Sequence, residues 1–397
     1  MKKVSLLFVA VVLALLAVSC GTQAAGPTAK IGFIGPLTGD YAKYGVLMSQ
    51  AAELAITERN AAGGVGGVKV ALVKEDSEGK VEKATAALEK LASVDKIWAL
   101  VGEVFSSSSL AIAPRADAEK IVMISPSSTH PDLTSKGTYI FRTVATDSLQ
   151  AEVFGNYVAQ ELKFKKVAIL YTKNDYSQTL AEAFKKIYTA AGGTVVAEES
   201  FQQGDKDFKT QLTNIKSKAP DAILLPDYVA EIAQILEQSA GLGIKTQFLA
   251  TDGFSNPEIL TLAGKYTEGV IFSAAQISAS DKTTKFLAAY SSTFKAPNNE
   301  ADDFAKNSYD ATNIIMDGMQ AAFDQASEAD KKAFNLSKEA IQAYVAGVKG
   351  YAGVSGEISF APNHDVIKNI GINVVKDGKF VSTGAYKIEG GKLTKVQ

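Results

Sequence analysis

Hydroxyl and carboxyl groups bunch at a few places in this chain. The densest is VGEVFSSSS (101–109), four serines that follow an apolar run and a phenylalanine. Such serines can act as a nucleophile, a phosphate cradle, a helix cap or the seat for another anion. ISPSSTHP (124–131) adds Ser127, Thr129 and His130, and TDGFSN (251–256) adds Asp252. A serine hydrolase of the α/β type would carry a G-x-S-x-G elbow, which GEVFSSSSL lacks. A phosphate loop would need G-x-x-x-x-G-K-[ST], also missing. GGVGG (63–67) follows a helical pattern rather than a strand, so it reads as a helix stop and not as a dinucleotide cradle. Two histidines, His130 and His364, and a single cysteine leave little for a transition-metal site. His130 reads as a surface loop residue.

The elements that must position these groups follow a simple rhythm. KIGFIGPLTG is a strand entering a loop, and YGVLMSQAAELAITERNAAGG is a helix with Leu47, Ala51, Leu54 and Ala55 on one stripe. VKVALVKED, KIWALVG and IVMISP are strands, separated by the helical stretches KVEKATAALEKLAS and SLAIAPRADAEK. The pattern restarts near Asp147 and runs through KVAILY, TVVAEESF, DAILLPDY, QFLATDG and EGVIFSA, each strand divided from the next by a helical or loop segment. The expected fold class is α/β, with two doubly wound parallel-sheet units. Such sheets hold ligands at the carboxyl ends of their strands. The loops GPLTGDYAKYG, GEVFSSSS, ISPSSTHP, YTKNDYS, LLPDYVAE and LATDGFSN all fall at those ends and can line one cleft between two domains.

The chain has 397 residues, 46% of them hydrophobic, and a formal net charge of −2. That is ample for two cores. No basic stretch interleaved with aromatics is present to neutralise nucleic-acid phosphates. MKKVSLLFVAVVLALLAVSC has a basic start, an apolar run and small residues before Cys20. Residues 1–19 are expected to be a lipoprotein signal peptide, with Cys20 acylated as the first mature residue. Two acyl chains would hold the protein to a bacterial membrane, periplasmic or at the cell surface. A sole cysteine permits no internal disulfide.

The residues at these loops closely resemble the periplasmic binding proteins of branched-chain amino acid transporters, of the type I fold. The matching stretches are IGFIGPLTGDYAKYG (31–45), AAELAITERNAAGGVGGVKVALVKED (51–76), the serine run, ISPSSTHPDLT (124–134), YIFRT (139–143), KKVAILYTKNDYSQTLAEAFK (165–185), DFKTQLTNIKSKAPDAILL (207–225), TDGFSNPEILTLAGKYTEGV (251–270) and SGEISFAPNHD (355–365). The resemblance implies two lobes joined by three hinge crossings, near Thr143–Val144, Ser273–Ala274 and Val354–Ser355. The N-terminal lobe would be 29–143 plus 274–354, and the C-terminal lobe 144–273 plus 355–397.

It also implies a site for a small zwitterion. Ser106 and Thr129 would hold its carboxylate. Asp252, with the carbonyl of Ser127 and the hydroxyl of Thr129, would hold its ammonium. Tyr44, Phe105, Tyr176, Tyr228 and Phe304 would surround its side chain. Glu103 departs from the pattern and has no role in it. The implied protein is a monomeric, non-enzymatic carrier without a cofactor, which closes on a neutral apolar amino acid and hands it to an ABC permease and ATPase. A sensory ligand-binding protein, or an importer component for an amide, urea or aromatic acid, would share the same fold.

Overall fold

The computed structural model describes residues 28–277, 280–295 and 300–396. The leader and Cys20 lie outside the described residues. The first sheet is built from β1 (Ala29–Gly35), β2 (Val70–Asp76), β3 (Ala99–Val101), β4 (Val122–Ser125) and β5 (Ile140–Arg142), in the order β2-β1-β3-β4-β5 with every pairing parallel. The second takes β6 (Lys166–Thr172), β7 (Thr194–Phe201), β8 (Ala222–Leu225), β9 (Gln247–Ala250) and β10 (Ile271–Ala275). After a small hairpin of β11 (Tyr351–Gly353) and β12 (Gly356–Ile358), the chain adds β13 (Ile370–Lys376), β14 (Lys379–Glu389) and β15 (Lys392–Val396) to the second sheet. Its order is β15-β14-β13-β10-β9-β8-β6-β7. The strands from β6 to β10 are parallel, and the three last ones join antiparallel, so this sheet is mixed.

Central strands are covered on both faces. Every residue of β3, β4, β5 and β8 is buried, which is why they read as apolar runs rather than alternations. The covering helices are amphipathic. In Asp175–Ala190 the buried residues Tyr176, Leu180, Phe184 and Tyr188 recur every four positions, and the Asn174 side chain caps the start by accepting from the Ser177 amide. The first lobe is completed by later chain. Helix Asp303–Gln325 lies along helix Ala42–Ala61, where the Ser308 hydroxyl donates to the Met48 carbonyl (2.8 Å) and Arg59 pairs with Asp317. Trp98, the one tryptophan of the sequence, meets Phe334 edge to face at 6.2 Å in this lobe.

Strand pairing moves two of the crossings expected from sequence. β10 keeps Ala274 and Ala275 in the second sheet, paired with Gly371 and Ile370. The segment after Ser355 stays on the first lobe up to Asp365, because buried Arg142 needs a counter-ion. Asp365 supplies it at 2.7 Å, while His364 stacks on Phe141 at 4.1 Å. The return to the second sheet therefore falls at Ile367–Asn369. There the buried Lys368 ammonium donates to Asn307 (2.9 Å) and Ser355 (3.3 Å).

Candidate functional site

The carboxyl ends of the two sheets face each other, and the gap between them is an aromatic-walled cavity of about 20 Å³. That is room for about one water, so the lobes stand closed on one another. Tyr44, Phe105, Ser106, Ser127, Tyr176, Tyr228, Asp252 and Phe304 all line it, together with Val104 and Gly253. Thr129 is buried nearby without reaching the wall.

The aromatic rings form one connected box. Phe105 and Tyr228 approach to 4.4 Å across the lobes, and Tyr176 stacks on Tyr228 at 5.2 Å. Tyr44 meets Phe105, Tyr228 and Phe304 at 5.9, 5.8 and 6.4 Å. Gly253 is needed for this closeness, since a Cβ there would stand 2.2 Å from the Asp227 carbonyl.

One end of the cavity is a hydroxyl-lined helix N-terminus. Helix Ser106–Ala118 starts with Ser106 inside its first turn. Phe105 is the N-cap, and no side chain caps it. A capping role for Ser106 is thus excluded, and its hydroxyl, 3.4 Å from that of Ser128, faces the cavity wall. The Ser127 hydroxyl donates to the Val104 carbonyl (2.7 Å), tying β4's loop to the serine loop. Unpaired amides and the helix dipole favour an anion here.

The other end is acidic. Asp252 accepts from the Tyr176 hydroxyl at 2.8 Å, and Tyr176 is held in turn by Thr251 (2.9 Å) and the Gly253 amide (3.0 Å). Burial raises the Asp252 carboxyl to about 6, with Tyr176 and Gln150 holding it back. Asp147, at the start of helix Asp147–Gln160, is also fully buried, and both its oxygens lack a hydrogen-bond partner among the described residues. Its carboxyl is pushed well above the ordinary range by burial first and the Asp252 charge second. Thr129 is near enough to temper that rise, yet neither its hydroxyl nor the Gln150 amide nitrogen closes a good hydrogen bond. The one arginine beside them, Arg142, is committed to Asp365 and to the carbonyls of Ser128, His130 and Pro131. Two buried carboxyls and two orphaned polar groups therefore converge, and among the described residues no cation hydrogen-bonds to either carboxyl, although the Arg142 charge is near enough to favour ionised Asp147. Asp147 escaped the sequence reading because an acid in a helix's first turn has a sufficient reason to be there in the dipole.

Further contacts hold the cleft shut. Tyr41 donates its hydroxyl to Glu231, and Tyr44 donates to the Gly253 carbonyl while accepting from the Val229 amide (3.1 Å). Asn256 donates to Asp302 (3.2 Å), and the Asp175 amide donates to Ser107 (3.3 Å). None of these needs a ligand.

Two α/β lobes face each other across a small aromatic-walled cavity, with a helix N-terminus at one end and buried carboxyls at the other. The chain belongs to the periplasmic binding protein family, whose profile matches residues 28–379. It is 32% identical over 308 residues to the leucine-, isoleucine-, valine-, threonine- and alanine-binding protein of Pseudomonas aeruginosa, covering 77% of this chain and 80% of that one. It is also 32% identical over 340 residues to Leu/Ile/Val-binding protein homolog 3 of Brucella melitensis, covering 85% and 90%. Among solved structures, the branched-chain amino acid transporter substrate-binding protein LivJ of Streptococcus pneumoniae, in complex with isoleucine, matches with a TM-score of 0.81. Its identity is 29%, over 93% of this chain and 100% of that one. A benzoate complex of a solute-binding protein from R. palustris has a TM-score of 0.80 at 22% identity, over 90% and 96%, and shows the shared fold alone.

Proposed function

We propose that this protein is the solute-binding component of an ABC importer, which captures a neutral apolar amino acid of the branched-chain type and presents the closed form to a permease and its ATPase. The observation that carries the reading is a pair of buried carboxyls, Asp252 in the wall of a small aromatic cavity and Asp147 beside it, to which no cation hydrogen-bonds among the described residues. Buried charge is costly unless paired, and a ligand ammonium supplies the missing charge. Ser106 and the amides of helix Ser106–Ala118 take the ligand carboxylate, and the Ser127 carbonyl joins Asp252 in accepting from the ammonium. Tyr44, Phe105, Tyr228 and Phe304 enclose its side chain, and Thr129 stands beside the ammonium. Tyr176 fixes Asp252.

The names of the relatives support the same ligand class. An aromatic acid such as benzoate fits the anion end and leaves the acidic end unpaired, so it is the weaker reading. The N-terminal leader ending at Cys20 supports a lipid-anchored protein outside the cytoplasmic membrane. No helix among the described residues is long and apolar enough to cross a membrane.

A thermal-shift screen tests the ligand class. L-leucine, L-isoleucine and L-valine are expected to raise Tm by several degrees at millimolar concentration, since binding only the folded form stabilises it. Benzoate, amides and urea are expected to leave it unchanged. A shift with benzoate and none with the amino acids overturns the assignment.

A further inference from the structure

Glu103 is the one residue of the serine loop to which neither the family pattern nor the cavity gives a task. It is wholly buried, one residue before the cavity-lining Val104, Phe105 and Ser106. Its carboxylate accepts the Ser77 hydroxyl at 2.7 Å on one oxygen and the Phe105 amide on the other, with the Val104 amide also turned to it. Its main-chain carbonyl accepts the hydroxyls of Ser125 (2.7 Å) and Ser109 (3.0 Å). The Ser125 hydroxyl in turn accepts the Ser128 amide (2.9 Å), and Ser128 touches Ser106. One residue thus ties the end of β2, the serine loop, the first turn of helix Ser106–Ala118 and the end of β4. These are the pieces that form the anion seat.

The arrangement has a cost for an anionic ligand. The Phe105 amide, at the N-cap of the helix that forms the seat, is already spent on Glu103. A second negative charge one residue behind the seat disfavours two ionised groups together. Among the described residues no cation hydrogen-bonds or pairs with Glu103. Its carboxylate faces the hydroxyl of Ser77, just past β2, and the Val104 and Phe105 amides, while the hydroxyls of Ser109 from the helix and Ser125 from β4 hold its main-chain carbonyl. Across the cleft, Tyr228 feels its charge. None of these ionises near neutrality. We propose that Glu103 is the positioning residue of the anion seat and that it gives up its charge when a carboxylate ligand arrives, so that binding draws a proton from solution. The ligand's own carboxyl, the stronger acid, stays ionised. Burial already holds the Glu103 carboxyl up at about 7, with Ser77 and the two amides restraining it.

This inference rests on the reading that a carboxylate sits at Ser106, and the test separates the two. Isothermal titration of the full chain with L-leucine at pH 7.0, in phosphate and in Tris, measures proton linkage from the difference in heat. Wild type is expected to take up roughly half a proton more than Glu103→Gln, because the group is about half ionised there before binding. From pH 7 to 8, the ratio of wild-type to Gln-variant affinity is expected to fall several-fold, approaching tenfold per pH unit at most. Asp147, Asp252 and Asp302 are also buried carboxyls raised above the ordinary range, but they are the same in both proteins and cancel from the ratio. Gln fits the same pocket, accepting the two amides and donating to Ser77, so a purely structural role would leave it indistinguishable from wild type. Ser77→Ala is the second variant. It removes a hydrogen bond that restrains the carboxyl, so the fall in affinity is expected to move to higher pH. Identical proton linkage in wild type and Glu103→Gln, or an unmoved profile in Ser77→Ala, overturns the inference and leaves the proposed function standing. No heat with L-leucine in wild type overturns both.

Discussion

Replacing Asp252 with asparagine keeps the shape of the acidic end and removes its charge. The Tyr176 hydroxyl still finds an oxygen at 2.8 Å, and the side chain remains 3% exposed, so packing is conserved. What is lost is one charge-assisted hydrogen bond to the ligand ammonium, about 1.5–3 kcal/mol. At about 1.4 kcal/mol per decade, L-leucine is expected to bind roughly tenfold to a hundredfold more weakly. The effect is not larger because Asp147 remains beside the ammonium. For 4-methylpentanoate, the same skeleton without the amine, the sign reverses. In wild type that ligand brings a second anion into a cavity whose Asp252 has no cation, and in the variant this repulsion is gone. Titration calorimetry of both ligands against both proteins at pH 7.5 gives the full cycle. Equal losses for the two ligands, or an unchanged leucine affinity, would refute the assignment of Asp252 to the ammonium.

Other expectations are more compact. As pH falls through about 6, Asp252 takes up a proton and the ammonium loses its partner. Leucine affinity should therefore drop between pH 6.5 and 5, and in Asp252→Asn that acid limb should flatten. The stability consequence has the opposite sign. A carboxyl raised from 3.8 to about 6 by burial favours the folded state at low pH, and that contribution is lost as pH rises through 6. The melting temperature of Asp252→Asn should then exceed that of wild type at pH 7.5. Ser106→Ala removes a hydroxyl donor to the carboxylate, and about a tenfold loss is expected for leucine and 4-methylpentanoate alike, read by the same calorimetry. Tyr41→Phe breaks the bridge to Glu231 without touching the cavity. The ligand-free radius of gyration by small-angle scattering should increase, and leucine affinity should fall several-fold.

The strands, the amphipathic helices and the cavity wall were legible in the sequence because each rests on a local pattern. Runs such as VMIS are buried on both sides, and the cavity aromatics sit at helix starts, with Phe105 and Tyr228 as N-caps and Tyr44, Tyr176 and Phe304 in first turns. Ser106 was legible as a polar residue after a strand, but only the backbone shows that it sits inside the helix and leaves the cap to Phe105. The second and third crossings were not legible to the residue. Asp365 looks like a turn residue, and only its ion pair with Arg142, 223 positions away, explains why the chain lingers on the first lobe. Asp147 and Glu103 were hidden for a related reason. Burial creates their electrostatic character, and burial is a property of the assembled lobes rather than of the segments ATDSLQ or GEVF.

The lone indole has a practical consequence. Trp98 rests on Phe334, within a single lobe and apart from the residues that line the cavity. Its emission should therefore be nearly silent as the jaw opens and shuts, and should change only when that half of the molecule melts. The protein carries an optical thermometer for one lobe and leaves the spectroscopic window at the cleft unoccupied, so an indole installed at Tyr228 would report capture against an almost dark background.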